Sequence, residues 1–562
     1  MTGLNARSLR VAAGVAGLVA VLGAVSPAGA QSLLSVGANV IAASGQDVPG
    51  LTGVTFGGIS TFDSPVLDEN GSVLFRGRMV GMDVMPTNER ALFRGSSAAS
   101  LSMLIRGGDA APGIAGANLN TATASGIGSG YRLSPSGQTM WGSSLSGTSG
   151  TTTDTAIFGG FAGSLVKFVQ EGDAAPGTMG ATFSSSFSSP SQQNTSIDRA
   201  GRILFKSNLL GGDVSGTTNN EGWFYGMPGS LAMMVRKGDD VASGATAASL
   251  GFVSQTNMSG QVLFDLTLGG TAIADNNSSV WVHTPGAGNS LVLREGDAAP
   301  GTVGATFGVA GGGWTPGIGG NAFNSDGRFV FTAPLLGGDV VAGDNDRGTY
   351  VGSAGGHTLV MRRGEAAPGT DGLFDVVNNS GQALGQLDRV VLQSSLRGGT
   401  VGSTDDTGIW AGTPGALELV AREGGVAPGI TDGTFGSMTG QAMLTNALGQ
   451  VVFNNSVLTP TGSVTAMFAW DPSAGLMLLA AVGDEVEVAP GVFKAVTGLG
   501  SVGFTNSENS SLSLGNDGTV AIRLSFANNE GAIVTVRVVP APAGIAPLAV
   551  LGLLASRRRR AG

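Results

Sequence analysis

Three carboxylates crowd the string GGDVVAGDNDRG, namely Asp339, Asp344 and Asp346, and Asp405 and Asp406 stand at the corresponding place in the next unit. Close-set carboxylates with Asn345 between them and Gly348 beyond partly resemble the oxygen-rich loops that hold calcium. The spacing is wrong for an EF-hand and no closing glutamate follows, so an Asn/Asp turn facing water explains the same residues. Calcium is therefore the one candidate ion, and no other cofactor is expected. Trp314 sits in GGGWTPG, a glycine loop without a strand pattern around it, where an indole can stack on a sugar ring or a partner. These four residues, Trp314, Asp339, Asp344 and Asp346, are the candidate ligand-binding set.

Catalytic constellations are scarcer. His283 and His357 are the only histidines and the chain has no cysteine, so a zinc site or a Ser-His-Asp triad has few places to form. No G-x-S-x-G elbow, phosphate loop or dinucleotide fingerprint supports an enzyme. Glycosidase-type carboxylate pairs meet in space and not in sequence, so a secreted carbohydrate-active hydrolase or lyase stays open as the alternative to a non-enzymatic binding protein. An arginine and an acid recur three residues apart, at Arg106 and Asp109, Arg236 and Asp239, Arg294 and Asp297, and Arg362 and Glu365. Repeated residues are usually scaffold, so each pair is expected to fix its turn by hydrogen bonding and ion pairing within one unit.

Those pairs lead to the elements that position them. Aligning on the turn acid gives Asp47, Asp109, Asp173, Asp239, Asp297, Glu365, Gly425 (where the acid is lost) and Asp484, eight units with a period of about 62 residues. Each unit has four pieces. An apolar run such as Leu291–Arg294 enters a GDAAPG-type turn; a short piece follows, such as Val54–Phe56, Ala305–Phe307, or Val492 and Phe493 in the last unit. Then comes Asn-x-x-Gly-x-(Val/Phe)-x-Phe, as in Asn257–Phe264, Asn324–Phe331 and Asn446–Phe453, whose strand is apolar on both faces and must be covered on both. A Gly-Gly loop leads to the fourth piece, which carries Trp223, Trp281 or Trp410, and Pro-Gly turns it into the next unit.

Four antiparallel strands with doubly buried centres are what a propeller blade requires. The expected fold is all-β, an eight-bladed β-propeller, with a β-solenoid or open repeat array as the alternative. The chain opens on a first piece, Val36–Ala43, and ends on a fourth, Gly531–Val536, so pairing of the two would close the ring and remove exposed edges. Composition agrees: 96 glycines, 12% charged residues and 42% apolar residues suit short strands joined by turns.

The ends read differently. Residues 1–30 have Arg7 and Arg10, an apolar run and a small-residue stop, the pattern of a secretory signal cleaved between Ala30 and Gln31. Residues 31–538 form the repeat domain. Residues 539–562 hold a proline-rich break, an apolar stretch from Ile545 to Ala555 and Arg557–Arg560. This tail resembles the PEP-CTERM sorting signals processed by exosortase, with Ala541 where that family has Glu. The Asn-x-x-Gly repeats, with Phe264, Phe331 and Phe453 at the terminal aromatic position, resemble the bacterial choice-of-anchor tandem-repeat proteins containing NxxGxxAF. The resemblance implies cell-surface or extracellular-matrix display, with membrane contact only through the terminal segments. Without the six terminal arginines the formal charge of −10 becomes −16. Such a body repels phosphate backbones, so no nucleic acid is expected, and a monomer with a polysaccharide or surface protein as partner is.

Overall fold

The computed structural model describes residues 32–538 apart from 59, 121–126, 128–129, 185–186, 188–194, 243, 274–275, 309–320, 441 and 502–512. Trp314, the Ala30/Gln31 junction and residues 539–562 thus lie outside the described residues.

Every repeat becomes a blade, and the blades number eight. Blade 1 shows the plan. Val73–Gly81 is its second strand, with Val73, Leu74 and Phe75 fully buried because neighbouring blades cover both faces. It pairs with Arg90–Gly95, which pairs with Ser102–Arg106 as outermost strand. On its inner side lie two short strands, Val54–Phe56 and Val66–Leu67, so the short second piece of the repeat begins the innermost strand. In blades 4 and 6 that strand is continuous, at Ala245–Thr256 and Leu373–Leu384. Aromatic rings knit each blade together: Phe56 stands edge-on to Phe93 at 4.8 Å, and Phe183 to Phe224 and Phe435 to Phe468 at the same distance.

The ring closes as its ends imply. Asn39–Ala43 pairs antiparallel with Gly531–Arg537, so blade 8 takes its outer strand from the start of the chain. Two boundaries differ from the sequence reading. Val36 and Gly37 belong to a one-turn helix, Leu33–Gly37, capped by Ser32, whose hydroxyl also donates to Asp484. Val492 and Phe493 are not the inner strand of blade 8; they form an extra hairpin, Glu485–Ala489 with Val492–Ala495, and Phe493 is exposed. The reason is a longer turn. In most units a turn glycine donates to the carbonyl of a residue eleven positions on, as Gly45 does to Phe56 and Gly296 to Phe307, whereas Gly483 reaches Val496. Val496 is accordingly the buried residue of that position, and the inner strand of blade 8 is Gly498–Leu499.

The strand directions give the ring two unlike faces. The acidic turns and the Gly-Gly loops share one, the loop face. The Asn-x-x-Gly turns and the Pro-Gly hairpins share the other, the motif face.

Candidate functional site

On the motif face the Asn-x-x-Gly turns form a chain of clasps. Asn324 is fully buried; its Oδ1 accepts from the N–H groups of Asp326 and Arg328, and its Nδ2 donates to the Gly385 carbonyl of the next blade at 3.0 Å. Asn257 reaches Asn324 and Asn446 reaches Gly515 in the same way, at 2.8 and 2.9 Å. The backbone conformation favours glycine, and the space over it is filled by a neighbour's side chain. Gly260 has φ +77, and a Cβ there would sit 1.7 Å from the Arg202 guanidinium that lies over it from blade 3. Where blade 6 lacks the glycine, Asp388 takes the left-handed conformation (φ 57) and pairs with Arg328 of blade 5 at 2.5 Å. This face is therefore bound up with itself.

The loop face is organised by arginines. In each GDAAPG turn the acid does not pair with the arginine guanidinium, as the spacing had implied; it accepts the arginine's backbone N–H, at 2.8 Å for Asp109, Asp239, Asp297 and Glu365. The guanidinium turns instead to the Gly-Gly loop. Arg362 donates to the Asn345 carbonyl and, through both Nη atoms, to Asp339 at 2.7 and 3.1 Å. Arg236 holds Asp213 likewise, and Arg422 holds Asp405 at 2.8 Å. These hydrogen bonds keep the Asp213 and Asp339 carboxyls below the ordinary aspartate range.

Of the candidate binding residues, Asp339, Asp344 and Asp346 do lie together at this loop. Asp339 is held by Arg362 and Asp346 by Arg363, while Asp344 pairs with Arg397 of blade 6 and keeps 58% of its side chain exposed. For Asp346, partial burial raises the carboxyl's pKa, but the Gly343 N–H and Arg363 outweigh it and the net direction is down. Among the described residues no three His, Asp or Glu side chains form a group that could hold a metal ion. His283, whose ring faces Asn289, and His357, packed against Phe307, Phe329 and Phe331, are pushed toward the neutral form chiefly by burial. Trp223, Trp281 and Trp410 are buried between blades.

Two features escaped sequence reasoning. Glu171 and Glu423 are raised first by burial and further by the adjacent Asp154 and Asp406; their carboxylates accept from Thr155 at 3.1 Å and Thr407 at 2.7 Å. Each threonine hydroxyl accepts in turn from an N–H of the next blade, that of Phe187 or Met438, each lying between that blade's two short inner strands, so the repeated pair serves as a relay between blades. The second is apolar. Met82, Met179, Ile273, Val303 and Val426 project from the loop face with 62–81% of their surface exposed, among the acids. They are scattered singly along the sequence, and the closed ring sets them on one face.

A family model covers residues 13–258 and 128–546 of the sequence. The chain belongs to DUF7453, a family of unknown function. No curated protein matches this DUF7453 member in sequence. Among solved structures it is similar to the β-propeller domain of the Trilobed protease from Pyrococcus furiosus, at 8% identity and a TM-score of 0.32 over 75% of this chain and 98% of that one. It is also similar to an oligogalacturonate lyase in complex with manganese, at 9% and 0.32 over 71% and 85%. A third is the α-L-arabinanase of Penicillium chrysogenum complexed with arabinobiose, at 9% and 0.25 over 61% and 92%. At such scores the likeness carries no functional information.

Proposed function

We propose that this chain is a secreted, surface-displayed or matrix-associated propeller that binds a partner through its loop face without catalysing a reaction on it. The observation that carries the reading is a difference of degree between the faces: isolated apolar side chains such as Leu387 and Leu448 are exposed on the motif face too, but more of them stand on the loop face. One face is locked by blade-to-blade clasps, and the other sets Met82, Met179, Ile273, Val303 and Val426 among carboxylates. Exposed apolar side chains rimmed by charge are the composition of an interaction surface. Methionine and β-branched side chains favour a protein partner, and the acids select a basic or amphipathic one. In this reading residues 1–30 direct export with cleavage after Ala30, and the PEP-CTERM-like residues 539–562 sort or anchor the product.

The test is retention on extracted cell-surface material. Replacing Met179 and Val303 together by serine should lower retention at least tenfold, whereas Leu387→Ser with Leu448→Ser, on the motif face, should leave it unchanged. Retention equal for both pairs would sink the proposal, as would turnover of a polysaccharide by the purified protein. Binding restricted to a glycan array would replace the protein partner with a carbohydrate.

A further inference from the structure

The seam where the ring closes holds a cavity of about 350 Å³ between blades 8 and 1, lined by Ser60 to Phe62 on one side and Arg523 to Phe526 with Asn529 to Gly531 on the other. Its size falls at the lower end of small-molecule sites, which run from roughly 300 to 1,000 Å³. Its charge is uneven. Glu530 is spent on Lys494, whose ammonium lies 2.5 Å from the carboxylate and 6.0 Å from the Phe526 ring centre. Arg523 has no carboxylate partner among the described residues. Its Nη1 donates only to the Phe62 carbonyl at 3.4 Å, and its Nε is buried without a partner. In a protein of formal charge −10, where the acid of the lining, Glu530, is already neutralised, a guanidinium at a cavity is a place for an anion.

Two further observations set the class of anion. Ser60, Thr61, Thr497 and Ser525 share the lining with Phe62 and Phe526, a polar set that suits a ligand carrying its own hydroxyls, although the Thr61 hydroxyl already donates to the Gly58 carbonyl. Ser60 and Asn529 hold left-handed backbone conformations, φ 53 and 61, that non-glycine residues rarely adopt and that cluster where a ligand is received. We propose that this cavity is a binding site for a small hydroxylated carboxylate of sugar-acid size, its carboxylate on Arg523 and its hydroxyls on the seam. The ligand would touch both blades and so tighten the closure, stabilising the ring by mass action.

The inference does not rest on the loop-face reading, because the rim residues there are not in the cavity. Intact protein is titrated with glucuronate, galacturonate, glucose, acetate and sulfate, with calorimetry and the melting temperature as readouts. One or both uronates should bind and raise the melting temperature, with glucose and acetate at least tenfold weaker. Arg523→Met and Arg523→Gln should each lose the effect, and Glu530→Gln, which removes a negative charge from the lining and frees the Lys494 ammonium, should strengthen binding several-fold. The Met179→Ser, Val303→Ser protein should bind uronate as the parent does. An equal response to sulfate would overturn the sugar-acid assignment. No uronate binding at millimolar concentration, parental binding by folded Arg523 variants, or weakening by Glu530→Gln would each overturn the site.

Discussion

Asn324 shows how one side chain can decide the fit of three blades. It satisfies two N–H groups of its own turn and the Gly385 carbonyl of blade 6, and it accepts from Asn257 of blade 4 through its own backbone carbonyl. Asn324→Ala would leave buried polar groups of two blades unpaired, at about 2–4 kcal/mol, each orphan contributing about 1–3. Urea unfolding should show that loss at an unchanged slope; a change below 0.5 kcal/mol would mean that water replaces the amide. Arg132 makes the opposite case. It is buried at the inner strand of blade 2, donates only to the Thr195 and Tyr131 carbonyls, and its Nη2 has no partner. Desolvation drags its pKa down to about 10, a cost of roughly 3 kcal/mol at neutral pH, where folded and unfolded chains both hold the proton. Arg132→Met removes that cost but orphans the Thr195 and Tyr131 carbonyls at about 1–3 kcal/mol each, so the two effects should nearly cancel; a loss above about 4 kcal/mol would refute the balance. The turn-forming role of Asn-x-x-Gly is plain in the sequence because Asn and Gly favour such a bend. The clasp is not, since its acceptor lies a whole repeat away.

At the scale of the element, the closing strand carries the most. Asn39–Ala43 contributes Ile41 and Ala42, fully buried, to the core shared by blades 8 and 1, and its loss would bare the edge of Gly531–Arg537. That strand alternates nothing: Ala532, Ile533 and Val534 are all fully buried. An apolar edge with free ladder groups recruits another strand. A chain beginning at residue 44 should therefore dimerise or aggregate, read by light scattering after size exclusion, while Ile41→Ala should stay monomeric and lose about 2–5 kcal/mol. A monomeric, equally stable truncation would show that the seam is dispensable. The pairing was legible because an orphan first piece and an orphan fourth piece complement each other. The inner strand of blade 8 was not, because Val492 and Phe493 imitate the Val54–Phe56 pattern while a longer turn moves the buried position to Val496. The partners of the loop acids were not legible either: the adjacent Arg362 and Arg363 meet Asp339 and Asp346, and Arg397 of blade 6 meets Asp344.

For the whole molecule, stability should track pH in two separate windows. His283 and His357 have folded values below the ordinary 6.5 because burial disfavours their charged form. As pH falls through 6.5 the unfolded chain takes up protons that the folded chain refuses, so stability declines from there downward. Both rings keep some contact with water, so each slope is less than the roughly 1.4 kcal/mol per pH unit of a fully buried group. The arginine-held carboxylates act lower down. Asp213 and Asp339 are depressed by their hydrogen bonds to Arg236 and Arg362, so their contribution is complete above the usual aspartate value near 4 and fades as pH falls below it. Urea midpoints measured from pH 8 to 3 should be level down to about 6.5, fall gently, then fall again below about 4. His283→Gln with His357→Gln should flatten the first descent and leave the second. Asp213→Asn with Asp339→Asn should lessen the second descent, which Asp346, Asp371, Asp471 and Asp517 share, and leave the first; an unaltered profile in either pair would assign the pH response to other groups.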